Sequence, residues 1–239
     1  GAVIRNVRFV DGQEGPVKFA NPAFIHTWGD VLPRHKLLVQ DNDFGRYVGA
    51  GYATTLYDVF DSIIENNQLR LGEGVNGGFH DKDNAQFNVY RQNYIEAPAN
   101  SSNHAIQISA QYGSKGVHIH HNLLINGGVL LGTQCLTEGC TMTEHNVHHN
   151  TVVGAGISQS WGVFNAGSSG TRITHNIISS GKVAPYWGVS CQRLPDTFAT
   201  AMVTGANLIE TSSATIHKDT ECSGNDMTWP VWQSFGRDT

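Results

Sequence analysis

The sequence predicts an all-β solenoid, a single domain over residues 1–239 wound into about eight stacked coils. Three observations carry this. A short unit of the form apolar-x-x-Asn-x-apolar returns at a nearly constant interval. Charged residues make up only 15% of the chain while glycines number 27, against a charged share of roughly 25% in ordinary soluble domains. Each interval holds two or three short, β-branched apolar stretches parted by Gly, Asn and Ser, and lacks the 3.6-period stretch that a helical repeat needs.

The units run in order as Val39–Phe44 around Asn42, Ile64–Leu69 around Asn67, Tyr90–Ile95 around Asn93 and Ile119–Leu124 around Asn122. They continue as Val147–Val152 around Asn150, Ile173–Ile178 around Asn176 and a weaker Thr204–Ile209 around Asn207. An early copy, Ile4–Phe9, carries Val7 where the Asn belongs. By subtraction the steps from Asn to Asn are 25, 26, 29, 28, 26 and 31 residues, which excludes ankyrin and tetratricopeptide arrays once the missing helices are considered. Asn suits a tight bend because it tolerates left-handed backbone and its amide bonds neighbouring peptide groups. Coils stacked about 4.8 Å apart then bring these amides into a hydrogen-bonded ladder.

A further strand precedes each Asn unit. Alternation places Ile25, Leu56, Phe79, Ile106, Val129, Val163, Val189 and Ile216 inside. The neighbouring outward row reads His26, Tyr57, His80, Gln107, Leu130, Phe164, Ser190 and His217, and a second reads Trp28, Val59, Lys82, Ser109, Gly132, Ala166, Gln192 and Lys218. The early coils are therefore the chemically rich ones, with His26, Trp28, Tyr57, His80 and Lys82 on one face. Aromatic rings there suit stacking on sugars, and His or Lys suits a carboxylate.

Net charge and motifs limit the partners. A charge of −5 with 15 Lys+Arg lacks the basic footprint of a nucleic-acid binder. No apolar run reaches about 18 residues, so no membrane span is expected. The chain starts without Met or a signal peptide, which reads as a mature or trimmed product or as a fragment of a longer chain. Four cysteines, Cys135, Cys140, Cys191 and Cys222, come in an even number without C-x-x-C, which fits disulfides and a secreted or cell-surface location. The loop between Cys135 and Cys140 suits one bridge and leaves Cys191 and Cys222 for the other. Gly127, Gly128, Gly154 and Gly181 read as turn glycines and not as phosphate loops, since no helix follows them.

With its Asn-marked coils, the chain resembles the right-handed parallel β-helix of the pectate-lyase-like superfamily, over nearly its whole length. Polymer-cleaving members bind their chains along an outer face of this kind. The segment Asp81-Lys82-Asp83-Asn84 followed by Asn93 is similar in layout to the chondroitinase B and family-6 alginate lyase group. There a lysine at this place removes the proton α to a uronate carboxylate. Where that group has an Arg-His-Gly on the next coil, this chain has Ile106–Ala110. The resemblance implies a lyase acting on an acidic polysaccharide, with Lys82 as base, His80 or Tyr57 as acid, and His26, Trp28 and Gln107 against the substrate. Arg91 or a Ca²⁺ ion held by Asp81 and Asp83 would neutralise the carboxylate, although Arg91 also fits an ion pair with Glu65 one coil below.

Other readings stay open. Asp58 aligns with Asp81 and could form the acid–base pair of a glycoside hydrolase, or both could be buried hydrogen-bonding caps. His118, His120, His121, His145, His148, His149 and His175 cluster, with His120 expected on His148 and His121 on His149 and His175; a Zn²⁺ or Cu²⁺ site competes with plain stacking of like residues. A non-catalytic adhesin, filament or spike shaft is the remaining class. Neither end shows an obvious capping helix, so end-to-end self-association belongs to that reading.

Overall fold

The computed structural model describes residues 1–10, 12–13, 23–27, 34–48, 51–99, 104–109, 112–133, 140–159, 167–188, 202–219, 226–234 and 236–238. These residues form a parallel β-helix with three principal sheets. The first stacks the strands just upstream of each bend Asn: Ala2–Arg5, Leu37–Gln40, Ile63–Glu65, Val89–Arg91, His118–His120, Asn146–His148, Thr171–Thr174 and Met202–Gly205. The second stacks the strands just downstream, from Arg8–Phe9 to Leu208–Thr211. The third stacks Ile25–Thr27, Tyr52–Tyr57, Gly77–Lys82, His104–Ser109, Gly128–Thr133, Ile157–Gln159, Tyr186–Gly188 and His217–Asp219.

Like residues meet like inside this stack. Val39, Ile64, Tyr90, Ile119, Val147 and Ile173 are register partners in succession, and each is at most 1% exposed. Phe44, Leu69, Ile95, Leu124, Val152 and Ile178 form the matching column of the second sheet. Burial of each such side chain stabilises the fold by about 1.5–3 kcal/mol, so the columns supply the main drive for stacking.

The Asn ladder runs unbroken from Asn42 to Asn207. Each Nδ2 donates to the Oδ1 of the next coil's Asn, at 2.9 to 3.0 Å. The same oxygen also accepts the backbone N–H of the Asn below, at 2.8 to 3.1 Å. The amide's other hydrogen reaches a backbone carbonyl of the coil below, as from Asn122 to Tyr90 O at 3.0 Å and from Asn93 to Ile64 O at 2.9 Å. Val7 occupies the first rung, and its N–H donates to Asn42 Oδ1 at 3.0 Å.

One detail differs from the expectation. The left-handed backbone falls on the residue before each Asn and not on the Asn itself: Asn6, Asp41, Asn66, Gln92, His121, His149, His175 and Ala206 have φ between 53° and 57°. The Asn keeps ordinary backbone geometry and turns its amide inward, at 1–2% exposure from Asn42 to Asn176. A second bend repeats the device, with Lys36, Asp61, Phe87, Gly116, Glu144 and Gly170 at positive φ. Gly154 and Gly181 have positive φ as turn glycines should.

The C-terminal end is capped, contrary to the sequence reading. A short helix, Trp229–Ser234, buries Trp232 on the last coil. Its ring stacks on Tyr186 at 5.0 Å and on His217 at 5.5 Å between centroids. Beyond it, Asp238 Oδ1 accepts from Asn207 Nδ2 at 2.7 Å and Asp238 Oδ2 from Trp232 Nε1 at 2.9 Å. Arg237 bonds the Met202 carbonyl and Asp238 N–H the Thr204 carbonyl, which occupies the outer edge of the last strand of the first sheet.

Removing a central rung leaves buried donors and acceptors without partners. Asn122→Ala should cost about 2–4 kcal/mol, since each orphaned buried group costs about 1–3 kcal/mol. Asn207→Ala, at the half-exposed end, should cost less. Urea midpoints of the two variants check the order; equal loss at both positions would contradict it.

Candidate functional site

The third sheet positions the face. Its early strands begin at a close approach of coils: a Cβ on Gly78 would run into the Ala105 carbonyl. Register then fixes the neighbours. His26, Thr55, His80, Gln107, Leu130 and Ser158 form one outward row, which the backbone register continues through Trp187 and Lys218. Tyr57 pairs with Lys82 in the next. Thr55 therefore takes the place assigned to Tyr57, and Tyr57 moves two residues along, beside Lys82.

Other assignments shift as well. Leu56 is buried but lies opposite Asp81, while Thr54 stands opposite Phe79. Val59 is buried and pairs with Arg34 in a small separate sheet. Ile157 and Tyr186 fill the inward places assigned to Val163 and Val189, and His217 fills that of Ile216. Trp28, Phe164, Val163, Val189, Ser190, Ala166 and Gln192 lie outside the described residues, as do Cys135, Cys191 and Cys222. Cys140 is buried and is not a free thiol.

At the centre of the face, Lys82 Nζ donates to Tyr57 Oη at 2.9 Å and lies 4.8 Å from the ring centroid. The exposed His26 stacks on the same ring, at 5.4 Å and 19°. Beside them runs a buried polar network. His80 Nε2 and Ser109 Oγ share a 2.7 Å hydrogen bond, Gln107 Nε2 donates to Ser109 Oγ at 3.2 Å, and Tyr52 Oη donates to Gln107 Oε1 at 3.1 Å. The Tyr52 ring covers His80 at 4.0 Å.

This network changes two roles. His80 is 1% exposed, and burial, helped by the Lys82 charge, holds its pKa down at about 3. A neutral imidazole is a poor general acid near pH 7, which argues against the acid role expected of His80. Gln107 is 5% exposed with its amide engaged on both sides, so its side chain is held within the network. Tyr52 was missed by the sequence reading because it sits where the strand leaves a loop, ahead of the alternation that marked its neighbours.

The acidic residues separate. Asp81 points into the coil, where its Oδ2 accepts from Asn88 Nδ2 at 2.7 Å and Tyr90 Oη at 2.9 Å. Burial pushes its carboxyl up to about 7 against the pull of those bonds, and Asp58 adds to the rise. Since Tyr57 pairs with Lys82, Asp58 follows opposite Asp83 and not opposite Asp81, both at left-handed bends with φ 50° and 71°. Burial raises both carboxyls, while Lys82 lowers that of Asp83. The hydrolase pair Asp58/Asp81 is thus replaced by a buried Asp81 and a surface Asp58/Asp83 pair. Ca²⁺ wants six to eight oxygens, and with Asp81 committed inward the donor set does not fit it. Among the described residues no group of three or more His, Cys, Asp or Glu is arranged around one ion.

Arg91 lies on the first sheet, not on this face. It binds Glu65 at 2.5 Å, which is the ion pair weighed against its role as carboxylate neutraliser. The histidine stacking is as expected: His120 on His148 at 5.0 Å, His121 on His149 at 5.2 Å and His149 on His175 at 5.2 Å. His145 departs from that cluster. It is buried in the second bend, where its Nδ1 accepts the Val117 N–H at 3.1 Å.

Asp81 gives a pH signature. Its folded pKa of about 7 exceeds the unfolded value of about 3.9. Between those values the folded state binds more protons, so its contribution to stability falls as pH rises through that window and is constant above it. Asp81→Asn should remove the fall, gaining most over the wild type above pH 7 and little near pH 4. Denaturant midpoints of both proteins at pH 4.5 and 7.5 read this; a gap that does not widen with pH would contradict it.

No family model, no curated protein and no solved structure matches this chain, so its chemistry is read from the face itself.

Proposed function

We propose that this protein is an extracellular carbohydrate-active β-helix that cleaves a uronate-containing polysaccharide by β-elimination, with Lys82 as base and Tyr57 as acid. The observation that carries this is the 2.9 Å hydrogen bond from Lys82 Nζ to Tyr57 Oη on an outer sheet face of a parallel β-helix. In the reaction Lys82 first gives one proton to solvent, and the C5–H bond then breaks with its proton going to the resulting amine. The C4=C5 bond forms, the C4–O bond breaks, and Tyr57 protonates the leaving oxygen. Lys82 then carries an extra proton and Tyr57 lacks one. The hydrogen bond between them restores both groups without a solvent-borne shuttle.

His26 supports the reading. It is exposed and stacked on Tyr57, where it is placed to meet the uronate carboxylate in the role first given to Arg91. The lyase-like layout around Lys82 supports the substrate class, and disulfides from Cys135 to Cys140 and from Cys191 to Cys222 belong to the same secreted reading. A second reading, a structural β-helix, is favoured by one observation. The first coil exposes Val3, Val7 and Val10 at 65%, 39% and 82%; Val3 lies on a strand that ends its sheet, and Val7 and Val10 flank Arg8–Phe9, which ends another.

Incubation with alginate, pectate and glycosaminoglycans should yield an unsaturated uronate that absorbs in the ultraviolet. Lys82→Ala should abolish it, and Tyr57→Phe should lower kcat by about 10²–10⁴, the usual share of a general acid. Absence of product from the whole panel, or turnover unchanged in a folded Lys82→Ala protein, overturns the proposal.

A further inference from the structure

Two adjacent coils carry the dipeptide His-His immediately before the ladder Asn, and the bend gives both pairs the same geometry. In each, the first histidine ends a strand of the first sheet and the second takes the left-handed bend, with φ 55° at His121 and 53° at His149. The bend turns the second ring across the first, at 84° in one pair and 86° in the other. The two Nδ1 atoms then lie 2.8 Å apart in His120/His121 and 2.9 Å apart in His148/His149. His121 and His149 are exposed, so solvent reaches both pairs.

That separation is a chelating bite. With metal–nitrogen bonds of about 2.0–2.1 Å, ligands at 90° stand about 2.8–3.0 Å apart and tetrahedral ligands about 3.3 Å apart. The pairs match the edge of a tetragonal or octahedral site, the geometry of Cu²⁺ or Ni²⁺ with imidazole ligands. We propose that His120/His121 and His148/His149 are two cis-chelating sites for a divalent transition-metal ion of the Cu²⁺ or Ni²⁺ type, with water completing each shell. In the metal-free pair one Nδ1 carries the hydrogen that bonds the other. On coordination that ring takes its other tautomer, with the hydrogen on Nε2, and the two rings turn so that both Nδ1 lone pairs converge on the ion; no net proton is released.

The electrostatics agree. Burial and the neighbouring histidines hold His120 down at about 4 and lower His148, so these rings are neutral and available near pH 7. His175 continues the stack above His149, but Thr174 stands where its partner would be, so the third coil has no pair. The two sites lie one coil apart, His120 over His148 at 5.0 Å. Repulsion between two dications at that spacing makes the second ion bind about tenfold or more weakly than the first.

Titration of the intact protein with CuCl₂ near pH 7, followed by calorimetry and by the visible d–d band, tests this. Two tight equivalents in separated steps are expected for the wild type, one for His121→Asn and none for His121→Asn/His149→Asn. Asn tolerates the left-handed bend, so these variants keep the fold. His120→Gln/His148→Gln removes the other half of each pair and should also bind none, while His175→Asn should still bind two. Absence of tight binding by the wild type, retention of both equivalents in either double variant, or loss of one in His175→Asn overturns the proposal. The polysaccharide assay is independent of this outcome.

Discussion

One amide oxygen per coil, accepting two hydrogen bonds, is the constraint on which the rest of the structure depends. Each ladder Asn takes the Nδ2–H and the backbone N–H of the Asn below on the same Oδ1, inside a bend that excludes water. A buried donor without a partner costs about 1–3 kcal/mol, so a coil that slipped by one residue would lose both bonds and expose its apolar column. The ladder therefore locks the register of the two sheets that flank it. Stacking like over like follows from that lock: Ile over Val, Phe over Leu, His over His.

The third sheet is tied to this lock less directly, and that is why the sequence was legible in one place and not in the other. The strands of the first two sheets lie within six residues of the Asn, so the motif marks them without ambiguity. The third sheet is reached through connections whose lengths change from coil to coil. Tyr57 was placed two residues from its observed position and Ile157 was displaced by a candidate six residues later. These two errors are even and keep inside and outside apart, whereas Tyr186 in place of Val189 and His217 in place of Ile216 are odd shifts, so His217, expected outside, lies inside. Asp81 illustrates what alternation can do, since its inward register was readable and its buried hydrogen bonds bear that out. The burial of His80 was not readable, because the Tyr52 ring that covers it arrives from the edge of a loop.

The polar interior follows the same economy of charge. Asp81, His80 and His145 are buried groups whose neutral forms are favoured by desolvation, which is the cheap solution to placing ionisable side chains in low dielectric. Each meets at least one hydrogen-bonding partner: Asn88 and Tyr90, Ser109, and the Val117 N–H. The second bend accepts Ser62, Asn88 and His145 at corresponding places, so no single residue type announces it in the sequence. Its regular sign is the positive φ one residue earlier, which residues as different as Phe87, Gly116 and Glu144 adopt.

Chemistry on the outside of such a stack depends on where repetition is broken. A column of identical charged residues about 4.8 Å apart would repel itself, whereas aromatic rings repeat readily, as in the His121, His149 and His175 stack. Where Lys82 meets Tyr57 the column changes type between coils, and a cation faces a phenol instead of another cation. That heterotypic contact puts an amine and a phenol at hydrogen-bond distance on strands that the ladder keeps from sliding, which is the arrangement the proposed proton-transferring pair needs. The His-His pairs use the complementary route, in which the left-handed residue before the Asn folds one ring across its neighbour within a single coil. The bend that sets the register of the fold thus also sets the bite of the pair.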